Sequence, residues 1–204
     1  MYNHPAKERL FVDDSAIRGG YYDEVEVLLR EKLSEGHKIG RIVIFDHTIR
    51  RRRKDAPRQP VQQVHIDQTE KAAEARVRRH VSDPAEVEDL LSRRYQLINV
   101  WRPIENAASD FPLAVIDWRT TKPDDLVKVD LLYPKLIADG SETDGNGQQD
   151  DDDDRGKEKL ADESTHKSTE GYEVKGETYA VAPSQDHRFY YYKDMTPEEV
   201  MFIK

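Results

Sequence analysis

An α+β fold is what the sequence predicts, with helices set before and between several short strands. Three observations predict it. Residues 14–33 carry apolar side chains at helical spacing, whereas 41–45, 95–102 and 113–118 are short apolar runs rich in β-branched residues and bounded by turn formers. Strands and helices do not alternate as they do in a doubly wound sheet. Residues 139–175 are rich in Asp, Glu, Gly, Ser, Thr and Gln and nearly free of large apolar groups, so burial there cannot offset ordering entropy. The expectation is a single domain over 1–204, interrupted by a disordered acidic insert at 139–175.

Taken in order, Val25, Leu28, Leu29 and Leu33 form the apolar stripe of the first helix, and Gly36 is its expected stop. Arg41 to Phe45 reads as a buried strand, followed by five consecutive basic residues, Arg50 to Lys54. That run is a solvated loop, a short nuclear-localisation-like patch, or an anion-facing rim; the sequence leaves the choice open. Pro57 and Pro60 bracket the entry to a strand at Val64–Gln68. Thr69 to Val81 is a basic amphipathic helix, and Ser82-Asp83-Pro84 opens another that runs to about Arg93. Strands follow at Tyr95–Arg102 and Leu113–Trp118, then a helical turn at Pro123 leading to Leu131–Pro134. After the insert come strands at Gly176–Ala182 and His187–Tyr192, a short helix capped at Thr196, and a last strand from Val200 to Lys204.

Composition narrows the function classes. The formal charge of −9 is concentrated in the run Asp150–Asp154, so a basic nucleic-acid-binding face is not favoured. The absence of cysteine excludes disulfides and zinc–thiolate sites. No apolar run approaches the roughly 20 residues needed to span a bilayer, and the first residues lack the apolar core of a signal peptide. No membrane association and a cytoplasmic location are expected. No glycine-rich strand-to-helix turn for a nucleotide cofactor is present.

The chemistry centres on Val64-His65-Ile66-Asp67-Gln68. On a strand, His65 and Asp67 point to one face, and an imidazole with a carboxylate makes up two-thirds of the facial triad of non-haem Fe(II) oxygenases. The tripeptide alone also arises by chance. For a third ligand, His80 lies on a predicted helix and His166 in the low-complexity stretch, so His187, at the start of a later strand, is the choice. Spacing alone leaves it open between a ligand and a packing histidine beside three tyrosines. Lys204, on the next strand, is the candidate cation for the far carboxylate of 2-oxoglutarate, or a charged strand end with no task. Asn99 and Arg102 sit on a strand that could line the same cavity, since both need partners if buried.

These pieces resemble one family. Ile44–Arg52, Val64–Thr69, Leu97–Pro103, Asp130–Pro134, Gly176–Tyr179, His187–Tyr191 and Asp194–Glu199 are similar, in that order, to the fungal AsaB-like hydroxylase/desaturase family. That family is related to the gibberellin desaturases and to the CmcJ-type proteins of cephamycin methoxylation. The likeness runs from about Asp14 to Lys204 apart from the insert. It implies a double-stranded β-helix (jelly-roll, cupin-like) core with flanking helices, and Fe(II), 2-oxoglutarate and O2 acting on a small secondary-metabolite substrate. It also implies that His65, Asp67 and His187 are the iron ligands. Against the family pattern a first β segment and strands after Lys204 are missing. The expectation is therefore a partial core that turns over 2-oxoglutarate poorly. The alternative is an inactive member acting as a binding protein.

Overall fold

The structure, a computed structural model, describes residues 1–34, 38–54, 56, 58–134 and 169–204. Gly36, Pro57 and positions 139–168 of the expected insert lie outside the described residues. The chain groups into two compact units. One comprises Met1–Phe45, His80–Thr121 and Gln185–Lys204; the other comprises Asp46–Arg79 and Lys122–Ser184. Among the described residues no helix is long and apolar enough to cross a membrane.

In the first unit, Asp13 caps α1 (Asp14–Ala16) by accepting from the amides of Ser15 and Ala16. The helix widens into a π-turn at Ile17–Tyr21, where Gly19 and Gly20 adjoin, and continues as α2 (Tyr22–Leu33). The predicted stripe is the buried face: Val25, Leu28 and Leu29 are inside, with Ile17, Met195 and Val200 among the most enclosed side chains of this unit. β1 (Tyr2–Asn3) and β3 (Asn99–Trp101) flank β8 (Glu199–Ile203) in an antiparallel sheet, and β4 (Ala114–Ile116) pairs with β7 (Phe189–Tyr191). α4 (Pro84–Ser92) starts at the cap Asp83, with proline in its first turn as predicted.

Two expectations fail here. Arg41–Phe45 is not a strand. Among the described residues no ladder partner meets it; Phe45 instead stacks on the His80 ring at 4.9 Å, and Arg41 pairs with Glu86 of α4 at 2.6 Å. Thr196 begins no helix. Its amide and hydroxyl do meet the Glu199 carboxylate, at 2.8 and 3.2 Å, but this closes a turn because β1 and β3 draw residues 199–203 into a ladder. The strand expected over Tyr95–Arg102 is also shorter, limited to the three residues that face Met201–Ile203.

The second unit is a three-stranded antiparallel sheet with order β2 (His65–Ile66), β6 (Tyr172–Val181), β5 (Leu126–Pro134), plus α3 (Glu70–His80). The 3-10 turn at Pro123–Asp125 precedes β5 as expected, but the strand starts at Leu126. β6 begins at Tyr172, inside the stretch expected to be disordered, because Tyr172 and Val174 pair with Pro134 and Leu132. Between Leu131 and Leu132 the register slips: Gly176 and Val174 take consecutive partners and Lys175 is the extra residue of a β-bulge. A mixed helix-and-sheet chain with antiparallel sheets is thus what the sequence folds into.

Candidate functional site

β2 is two residues long, and its partner sets its position. His65 faces Ala180, Ile66 faces Tyr179, and the Val181 amide donates to the Val64 carbonyl at 3.2 Å. Strand alternation and the short step from His65 to Asp67 bring both side chains to one side, as predicted. His65 Nε2 lies 3.2 Å from Asp67 Oδ1, and His65 Nδ1 donates to the Gln63 carbonyl at 2.8 Å. That second bond fixes the ring and leaves Nε2 as the atom turned to the carboxylate. The side chains are 37% and 52% exposed, so the pair is open to an incoming ion.

The electrostatics follow from these contacts. The hydrogen bond to Asp67 is the main influence raising the His65 pKa above its ordinary value. Partial burial opposes it, the Gln63 carbonyl and the Asp67 charge add to it, and the positive charge of Arg50 opposes it. Arg50, first of the basic run, is lowered by burial and by Arg58, while Asp67 raises it. Its guanidinium donates to the Gln59 carbonyl at 3.1 Å, and the Arg51 amide donates to the Arg58 carbonyl at 3.1 Å. The start of the basic run is therefore folded back within the unit that carries His65 and Asp67.

His187 belongs to the first unit. It is half-buried just before β7, with its ring edge-on to Phe189 at 6.4 Å. Lys204 is exposed just beyond β8, and Asn99 faces Ile203 across the β3–β8 ladder. Arg102 directly follows β3. Arg102 donates to the Tyr21 hydroxyl at 2.9 Å and to the carbonyls of His4 and Pro197 at 3.0 and 3.2 Å. It ties three segments of its unit together. Among the described residues, no group of three or more His, Cys, Asp and Glu side chains is arranged to hold a metal.

Sequence reasoning missed Gln63, Thr69 and Glu177. Gln63 acts through its carbonyl, which no side-chain pattern reveals. Thr69 carried a signal, a threonine just ahead of an amphipathic helix, and Glu177 stood within a quoted motif without an assigned role.

The family described as "Oxidoreductase/YMDC permease-like domain" matches residues 1–150. "Hydroxylase/desaturase efuI" of Hormonema carpetanum is 25% identical over 208 residues, covering 94% of this chain and 59% of that protein. "Fe(II)/2-oxoglutarate-dependent dioxygenase nvfI" of Aspergillus novofumigatus is 34% identical over 128 residues, covering 61% of this chain and 44% of that protein. The solved structure of the "iron and alpha-ketoglutarate-dependent endoperoxidase NvfI" superposes with a TM-score of 0.60 at 22% identity, covering 93% of this chain and 56% of that one. This last likeness is one of fold. The chain spans about half the length of the curated relatives it matches.

Proposed function

The chain belongs to the oxidoreductase/YMDC permease-like domain family, alongside fungal hydroxylase/desaturases and Fe(II)/2-oxoglutarate-dependent dioxygenases, and on that premise we propose that it is an oxidoreductase hydroxylating or desaturating a small secondary-metabolite substrate with Fe(II), 2-oxoglutarate and O2. The observation that carries this reading is the 3.2 Å meeting of His65 Nε2 and Asp67 Oδ1. The two facing atoms are both good ligands for a divalent first-row metal, and a metal ion would compete with their mutual contact for that place. The Gln63 carbonyl already supports the ligating tautomer by holding Nδ1–H.

His65 and Asp67 are assigned as two iron ligands and His187 as the third. Lys204 is assigned to the far carboxylate of 2-oxoglutarate, with Asn99 and Arg102 assigned to the lining of the same cavity. Arg50 and Arg58 add positive potential on the His65–Asp67 side, which favours an anionic co-substrate there. The antiparallel sheets are read as parts of a double-stranded β-helix. Bound iron, with 2-oxoglutarate and O2, supplies a two-electron oxidation of the organic substrate as 2-oxoglutarate is converted to succinate and CO2. The residues themselves bind, orient and hold charge.

The test is anaerobic titration of the chain with Fe(II) and 2-oxoglutarate. The expected result is a weak metal-to-ligand charge-transfer absorption that is absent in Asp67→Ala. No band, or a band that Asp67→Ala retains, overturns the reading.

A further inference from the structure

The segment that carries His65 and Asp67 is stitched to β6 with one residue to spare. Ile66 faces Tyr179, so an uninterrupted ladder would bring Gln68 opposite Glu177. It is instead the Thr69 amide that donates to the Glu177 carbonyl, at 3.2 Å. One extra residue is therefore accommodated at Asp67–Gln68, the kind of irregularity that re-aims a side chain.

The far end of this irregularity is held by Thr69, which is 1% exposed. Its hydroxyl donates to Glu177 Oε1 at 2.6 Å and accepts from the Ala72 amide at 3.2 Å. Its carbonyl accepts from the Ala73 amide at 2.8 Å. Thr69 thus caps α3 and ties itself to Glu177 through both main chain and side chain. The near end is held as well, because the Thr178 hydroxyl donates to the Ile66 carbonyl. Glu70, the next residue, accepts from the Tyr179 hydroxyl at 2.7 Å. Asp67, half-exposed, is suspended between two anchored neighbours, Ile66 and Thr69.

We propose that Thr69, through its two-point tie to Glu177, is a positioning residue that holds the Asp67 carboxylate beside His65 for metal binding. The inference rests on the reading of His65 and Asp67 as metal ligands. Groups that orient metal ligands typically govern affinity by about ten- to a hundredfold. Thr69 differs from an ordinary helix cap in that its hydroxyl serves the helix and the sheet at once.

The experiment measures Mn(II) affinity of the full chain and of five variants by calorimetry, with thermal midpoints recorded in parallel. Thr69→Val, which keeps the shape and loses the hydroxyl, is expected to weaken Mn(II) about ten- to a hundredfold. Thr69→Ser is expected to restore affinity to within about threefold of the parent, a small part of that range. Glu177→Ala leaves the cap intact and removes the hydroxyl's acceptor, along with the loose 4.0 Å ion pair to Lys128, so it tests the tie even if Thr69→Val does not fold; weaker Mn(II) binding is expected. Asp83→Ala removes a comparable cap from α4 and is expected to lower the midpoint with Mn(II) affinity unchanged. If the parent binds Mn(II) in a way that Asp67→Ala abolishes, but Glu177→Ala and any folded Thr69→Val bind as well as the parent, the positioning role is overturned and the metal site stands. If the parent fails to bind, or Asp67→Ala binds equally, the metal reading falls and this inference with it.

Discussion

Arg102 Nε donates to the Tyr21 hydroxyl at 2.9 Å, while the guanidinium lies over the same ring, 5.3 Å from its centroid. Burial raises the Tyr21 pKa above its ordinary value, and the Arg102 charge and hydrogen bond offset part of that rise. A raised folded-state pKa means that the unfolded chain gives up this proton first. The contribution to stability is full below about pH 10 and is lost as pH rises through the folded value. Thermal midpoints between pH 8 and 11.5 are expected to fall more steeply above pH 10 for the parent than for Tyr21→Phe.

Arg102→Lys is expected to cost about 2 kcal/mol in denaturant unfolding, since an ammonium cannot reproduce the spread of Nε and Nη1 over three acceptors. An unchanged midpoint would show that the tie is dispensable.

Leu28 is fully enclosed and its neighbour Val27 is 54% exposed on the same helix. Leu28→Ala is expected to destabilise by about 2–5 kcal/mol through lost burial and a residual cavity. Val27→Ala is expected to stay within about 0.5 kcal/mol of the parent. Equal losses from the two would mean that α2 packs on another face.

Gly171 has φ of +83° and open space where a Cβ would stand. Gly171→Ala is therefore expected to cost about 1 kcal/mol from backbone conformation alone. Urea unfolding measures it, and a neutral result would mean that the turn relaxes.

On the proposed function, His65 holds the iron on which conversion of 2-oxoglutarate to succinate depends. His65→Ala is expected to lower that conversion at least a hundredfold, because a metal that loses one of its few protein ligands is held weakly. Retained turnover, measured by chromatographic quantification of succinate, would remove His65 from the site.

α2 was legible from its Val25–Leu28–Leu29 stripe and α4 from Ser82-Asp83 ahead of Pro84. Arg41–Phe45 carried only apolar composition, and a strand needs a partner that composition cannot supply. Tyr172–Lys175 was lost for the opposite reason: its polar residues hide a strand that exists because β5 lies beside it. At the site, the His65–Asp67 pair was legible from a period of two. Thr69–Glu177 was not, because it joins residues far apart in sequence through a pairing offset that only the fold reveals.

The bulge at Lys175 gives the two ends of β6 different tolerance to insertion. Before Gly176, the ladder with β5 already carries a surplus residue, and one more could be taken up by shifting where the slack sits. Between Gly176 and Ala180 the ladder with β5 has no such slack. An added residue there would exchange the faces of Thr178 and Tyr179, parting one from the Ile66 carbonyl and the other from Glu70. Homologous chains that vary in length near the start of this strand can thus share one site, whereas a single codon gained near its end would dismantle it.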